Sequence, residues 1–287
     1  MPDSAVLAHA PTEPGSEGSL HLVVERVAGR TRIAELECSG PVQVLRCQYL
    51  DFSAPDLASV TIASPSGGVL QGDRLRINVE VRPGARLVLD TQSATRLYRM
   101  PARPAIIETR FEVRAGGWLE YVPDPYIPFA GSDTTVDTVL AIDESATVMI
   151  GEVVAAGRVA RGEIFEMTAF RSRVTAIRPS GELLFTDATE LVAGEALTDR
   201  GFLNDEVALG SLYVITRDAD PALLRAAMGR PAPPRARMGA STLPNGAGAW
   251  LRVIAPDTAG AKAVVDAGHD AARVAALGTA SPRSRRP

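Results

Sequence analysis

The chain has 287 residues, 46% of them hydrophobic, with a formal net charge of -4 and a pI near 5.5. That length and apolar content suffice for a substantial buried core, and the acid-leaning balance argues against a nucleic-acid or membrane-surface partner, which needs a concentrated basic face. Lys262 is the only lysine, so Schiff-base and P-loop lysine chemistry are absent from most of the chain.

Residues 1–18 have neither a basic n-region nor an apolar h-region and read as a disordered arm rather than a secretory signal. No later run reaches the roughly 18 apolar residues of a membrane span. Cys38 and Cys47 form neither a disulfide framework nor a Cys-x-x-Cys knuckle, which fits a reducing cytosol. The stretch "SPSGGVLQGDRL" sets Gly67, Gly68, Gly72 and Asp73 ahead of Leu75, Ile77, Val79 and Val81, which alternate with the period of a half-buried strand. A phosphate-cradling loop would instead end in Gly-Lys-Ser/Thr and open a helix. The four residues are therefore expected to form a structural turn, with glycines at positive φ or in close packing.

Three segments share one pattern: "VEVRPGARLVL" (79–89), "FEVRAGGWLEY" (111–121) and "LAIDESATVMI" (140–150). Each has two alternating strands around a short turn and reads as an antiparallel hairpin. Aligning Val81, Val113 and Ile142 gives offsets of 32 and 29 residues. The fold predicted is mainly β, with elongated stacked hairpin units, β-helix-like or sandwich-like, and one or two C-terminal helices. The prolines in "LEYVPDPYIPFAGSD" (119–133) predict a structured loop bending out of the sheet. Pro179-Ser180-Gly181 supplies a further hairpin turn. Asp220 and Asp257 are candidate N-caps for two helices, and "PAPPRAR" (231–237) reads as a loop. One β-rich domain over 19–277 is expected, followed by a disordered tail, 278–287.

Candidate chemistry is sparse. The three histidines, His9, His21 and His269, accompany no Gly-x-Ser-x-Gly elbow, and no His/Cys spacing suits a stable zinc or nickel site. His269 is expected to face solvent or to serve as a helix-end cation. Carboxylates remain: Glu120 and Asp124 lie in the proline-rich segment, and Glu163 and Glu166 in "GRVARGEIFE" beside Glu152. Each is either a solvated or arginine-paired charge, or a weak oxygen ligand. The late helix places Val264, Gly268, Ala271 and Ala275 on one face, which either packs on the chain's own β core or receives a partner helix.

In order, "SPSGGVLQGDRL", "DTQSATRLYR", "GGWLEYVPDPYIPF", "GRVARGEIF" and "RPSGELLFTDATEL" resemble successive blocks of the urease accessory protein UreD (UreH) family, from about Ser64 to Leu191. The resemblance implies a β-stranded, cytoplasmic, non-enzymatic scaffold or chaperone. It would bind apo-urease and, with UreF and the GTPase UreG, support nickel incorporation into the urease active site. It implies no tightly bound cofactor, only transient Ni²⁺, for which Glu120, Asp124, Glu163 and Glu166 are the path candidates. The chain has Ser64-Pro65 where the family often has His-Pro, and "PDPY" (123–126) where it often has Pro-Gln-Glu-Thr. The competing reading is a β-rich binding or carbohydrate-active protein using Glu163 and Glu166. Their i, i+3 spacing on a strand would point them to opposite faces, and 5% aromatic content offers few sugar platforms.

Overall fold

The computed structural model describes residues 15–194, 197, 199, 202–230 and 235–282. Among these residues the strands run β1 (Glu17–Val27), β2 (Arg30–Ser39), β3 (Gln43–Val44), β4 (Ala58–Ala63), β5 (Arg74–Val81), β6 (Arg86–Thr91), β7 (Thr95–Leu97), β8 (Ala105–Val113) and β9 (Trp118–Tyr121). They continue with β10 (Tyr126–Pro128), β11 (Asp133–Ile142), β12 (Thr147–Ala155), β13 (Ala169–Ile177), β14 (Leu183–Val192), β15 (Ala208–Ile215), β16 (Arg237–Thr242) and β17 (Gly248–Ala255). Helix α1 (Pro221–Met228) precedes β16 and α2 (Thr258–Leu277) follows β17. Among the described residues no helix is long and apolar enough to cross a membrane.

The strands form two facing sheets stacked as a solenoid. One has the order β14-β13-β11-β8-β5-β1-β2, and the other runs β16-β17-β15-β12-β9-β6-β4-β3. The three repeats are stacked units, as their spacing predicts, but they are not antiparallel hairpins. Strands β5, β8 and β11 lie parallel in the first sheet, and β6, β9 and β12 lie parallel in the second. Each short turn thus carries the chain from one sheet to the other, and the two strands it joins never pair. The alignment of Val81, Val113 and Ile142 is the register of the stack, with Val81 opposite Val113 and Val113 opposite Ile142. The turns also bond one to the next: Gly84 N–H donates to Ala115 O and Thr147 N–H to Gly117 O, both at 2.9 Å. Antiparallel pairing does occur at the ends, in β1–β2 and in β13–β14, where Gly181 at φ +89° closes the hairpin expected at Pro179–Gly181.

Alternation gives each sheet an inner and an outer face. Between the sheets lie Val79, Val81, Leu87, Phe111, Val113, Leu119, Leu140 and Ile142. The outer face of the second sheet presents Trp118, Met149, Leu212 and Leu251 to Leu224 of α1 and Val264 and Val265 of α2. Both helices begin where their caps predict: Asp220 accepts from Ala222 and Leu223 N–H, and Asp257 accepts from Gly260 N–H. Gly210 lets α2 approach, since a Cβ there would stand 2.9 Å from Val265.

Three boundary expectations change. Residues 1–14 and 283–287, like 231–234 of the "PAPPRAR" segment, fall outside the described residues. Glu17 and Gly18 already belong to β1, which is paired on both edges. In the tail, Ala280 and Ser281 are pinned by Arg273 and Asp270 because a buried guanidinium needs the Ala280 carbonyl. The proline-rich segment does not leave the fold, since Tyr126–Pro128 pairs parallel with β7.

The Gly-rich stretch is a turn. Gly67 and Gly72 sit at φ +73° and +72°, and a Cβ on Gly68 would stand 2.5 Å from Arg96 O. Asp73 is buried and accepts from Ser16 N–H at 2.9 Å and Leu70 N–H at 2.8 Å. Gly68→Ala must push the backbone of the Arg96 segment aside and is expected to cost about 1–3 kcal/mol. Gly29→Ala, with open space around it, should cost about 1 kcal/mol from its positive φ alone. Urea denaturation measures both, and equal losses would show that crowding at Gly68 is unimportant.

Candidate functional site

The four acids proposed for a nickel path do not converge. Glu120 lies on the outer face of β9, 2% exposed, under α2. Trp118 Nε1 donates to its Oε1 at 2.7 Å and Arg273 Nε at 2.8 Å, while His269 Nε2 stands 2.9 Å from Oε2. Arg273, fully buried, also donates to Asp51 Oδ2 at 2.5 Å and Ala280 O at 2.7 Å. Burial opposes ionisation of Glu120, but the imidazole, the guanidinium and the indole N–H outweigh it and hold its pKa at about 2. His269 is therefore not the solvent-facing residue expected. It is 5% exposed and lies on the helix face that packs on the sheet.

Glu163 is closed by Arg158, whose Nε donates to Oε2 at 2.7 Å while Nη2 contacts Oε1, and by Ala130 N–H at 3.3 Å. The Arg158 hydrogen bond keeps its carboxyl below the usual range. Glu166 is exposed, and its backbone carbonyl holds Gly131 N–H. Asp124 is half-buried, and its N–H donates to Thr91 Oγ1 at 2.9 Å. Among the described residues no group of three or more His, Cys, Asp or Glu side chains is placed to hold a metal ion.

The proposed partner face of α2 is largely taken by the chain itself. Val264 is 2% exposed, and Gly268 is buried against Leu212 and Leu251, because the apolar stripe of the helix faces the second sheet. Only Ala271, half-buried, and Ala275, exposed, reach its margin.

Sequence reasoning named Glu152 only beside the other candidate carboxylates and did not join it to Asp187 in the half-buried polar cluster that they form between the sheets. Along β12, Ile150 belongs to one apolar core and Val154 to another, with Glu152 between them. Ser172 on β13 donates to Glu152 Oε2 at 2.7 Å. Asp187 on β14 is held by Tyr213 and Arg252 from the facing sheet, and Arg252 Nε is buried without a hydrogen-bond partner. Burial pushes the Glu152 pKa up to about 7, with Ser172 and Arg252 opposing and Asp187 adding to the rise. The available signal was one acid in the otherwise apolar run "VMIGEVVA". A cavity of about 90 Å³ opens between the sheets beside the Gly-rich turn, lined by Val69, Leu75, Ile107, Tyr121 and Tyr126 among others.

This geometry defines a β-solenoid protein whose buried acids are engaged in internal hydrogen bonds and ion pairs. The family model described as "UreD urease accessory protein" matches residues 16–287, and the chain belongs to that family. A urease accessory protein UreD of Haloarcula marismortui is 36% identical over 98% of this chain and 94% of its own length. One from Yersinia pseudotuberculosis is 34% identical over 93% and 85%. A protein named urease accessory protein UreD 2, from Streptomyces griseus, is 31% identical over 97% and 96%.

Two measurements probe these clusters. Arg273→Met leaves Glu120 and Asp51 buried without their shared cation and is expected to destabilise by about 3–5 kcal/mol. Adding Glu120→Gln should return part of that loss, and additive single losses would show that the ion pair is not coupled. For Glu152, the folded carboxyl titrates above its unfolded counterpart. The unfolded chain therefore binds fewer protons between pH 4.5 and about 7, and this group's contribution falls as pH rises through that window. Glu152→Gln should remove that fall, gaining on the order of 1–3 kcal/mol at pH 8 relative to pH 5. Parallel stability–pH curves for the two proteins would contradict it.

Proposed function

We propose that the chain is a cytoplasmic urease-maturation scaffold that holds apo-urease and, with UreF and the GTPase UreG, promotes loading of nickel into the urease active site. The observation that carries this reading is the family match over 16–287, joined by a 36% identical relative spanning almost the whole chain. The geometry is compatible with a role exercised through surfaces. A solenoid of paired sheets is a stiff body, and the acids expected to act, Glu120 and Glu163, are tied to His269, Arg273 and Arg158. Nickel is then cargo rather than a resident ion, in contact with weak oxygen donors or shared with a partner.

The carbohydrate-active reading rests on Glu163 and Glu166, and the Glu163 carboxyl does not have the character it needs. A glycosidase acid needs a raised pKa and a second carboxylate across a cleft, whereas Arg158 holds the Glu163 carboxyl below its ordinary range.

Urease subunits expressed with UreF, UreG and this chain in nickel-supplemented cells should be active and nickel-loaded. Omitting this chain should lower urease nickel content at equal subunit expression, as read by metal analysis of the purified enzyme. Full nickel occupancy without it would overturn the proposal.

A further inference from the structure

Three loops meet at the end of the solenoid that carries the Gly-rich turn: 98–104, 129–132 and 157–166. Tyr98 and Phe129 pack edge-to-face at 5.1 Å, and the Arg158 guanidinium stacks 4.1 Å from the Phe129 ring centroid. Glu163 accepts from Ala130 N–H, and Glu166 O accepts from Gly131 N–H at 2.8 Å. The Arg99 side chain lies 3.1 Å from the point where a Cβ on Gly131 would stand.

The charge here runs against the whole molecule. Arg96 and Arg99 lie on a stretch with no acid between Asp90 and Glu108, and Arg158 and Arg161 rise from the third loop. The nearby acids on that loop are Glu163, tied to Arg158, and Glu166. The surface is thus cationic on a chain of net charge -4. Val159 and Ile164 add exposed aliphatic area, 38% and 41% accessible.

The third loop is also held in one shape. Phe165 sits at φ +53°, left-handed backbone that a bulky residue adopts only when its surroundings impose it. They do so through Ala156 O, which takes Phe165 N–H at 2.7 Å, and through the core against which the residue packs. A surface already ordered loses little entropy when it binds.

We propose that this end of the solenoid docks an acidic, partly apolar protein surface within the maturation assembly; the inference rests on the scaffold reading above. Arginine and aromatic side chains beside exposed aliphatics are the composition of protein interface centres. A nucleic-acid site of useful affinity uses on the order of 6–10 phosphate contacts, more than these loops present.

The test uses the full-length tagged chain expressed with urease subunits, UreF and UreG, with capture measured at about 0.05 M and about 0.5 M salt. Arg99→Glu/Arg161→Glu should reduce capture of one protein component about tenfold or more while sparing another. Arg99→Lys/Arg161→Lys should retain it, and wild-type capture of the same component should weaken at the higher salt. Equal capture by wild type and the reversal variant, with the same salt response, overturns the docking surface while leaving the scaffold reading intact. Wild-type capture of no component overturns both. If the reversal lowers duplex DNA binding but leaves protein capture unchanged, the surface is a polyanion site and the proposal fails. Both arginines are exposed. Should circular dichroism nevertheless show the reversal misfolded, Arg99→Gln/Arg161→Gln decides by the same capture.

Discussion

Everything in this fold hangs on what happens at three short turns. At Arg82–Ala85, Arg114–Gly117 and Asp143–Ala146 the chain crosses from one sheet to the other instead of doubling back on its neighbour. A hairpin satisfies its own strands. A crossing turn leaves each strand needing a partner from the next repeat, so the units form only as a stack. In-register parallel pairing then places Val81, Val113 and Ile142 in one row, and Leu87 opposite Leu119, so that like side chains line the inter-sheet core. The same register fixes the outer face of the second sheet, on which both helices lie.

The periodicity of the repeats, their offsets, both helix caps and the Gly-rich turn were legible in the sequence because each is a local matter of spacing and backbone geometry. Pairing direction was not. Alternation with period two is the same in a hairpin and in a strand that changes sheet, and nothing within eleven residues says where the hydrogen bonds go. The buried clusters were hidden for a related reason. Glu120 and Arg273 lie 153 positions apart and meet only once α2 is laid across β9. His269 looked like a surface cation because a helix shows one face to a neighbour and hides it from sequence reading, and here that face is the inner one.

The two polar clusters play different physical parts. Arg273 is completely enclosed, and its bonds reach Glu120 on a strand, Asp51 on a loop and the Ala280 carbonyl beyond the helix. Apolar side chains of similar volume in place of the whole network, Arg273 together with Glu120 and Asp51, could fill that space at little cost in free energy, but they would accept many placements of α2. Three directed bonds accept one. The network therefore specifies where the C-terminal helix sits more than it strengthens the fold. Glu152 and Asp187 sit instead between two apolar cores, one carboxyl on each sheet, and are incompletely compensated. Among the described residues Arg252 bonds Asp187 but leaves its own Nε unpaired, and Glu152 accepts one hydrogen bond, from the Ser172 hydroxyl. That residual cost is what lifts the Glu152 pKa.

The distribution of arginine separates structure from surface. Along the flat faces of the first sheet arginines are matched across strands, as with Arg76 and Glu108, Arg114 and Glu80, and Arg171 and Asp133. Such exposed pairs keep that outer face locally neutral and contribute little to stability. At the loop-bearing end, Arg96 and Arg99 come without an acid in their own segment, while Arg158 is drawn inward by Glu163 to brace the loop that displays Arg161. A stiff stack has only its ends and its uncovered faces to offer a partner. Here α1 and α2 already occupy one outer face, and charge pairing quiets the other. The end where cationic, aromatic and aliphatic side chains coincide on braced loops is the place where the same solenoid that hides its acids can act on another protein.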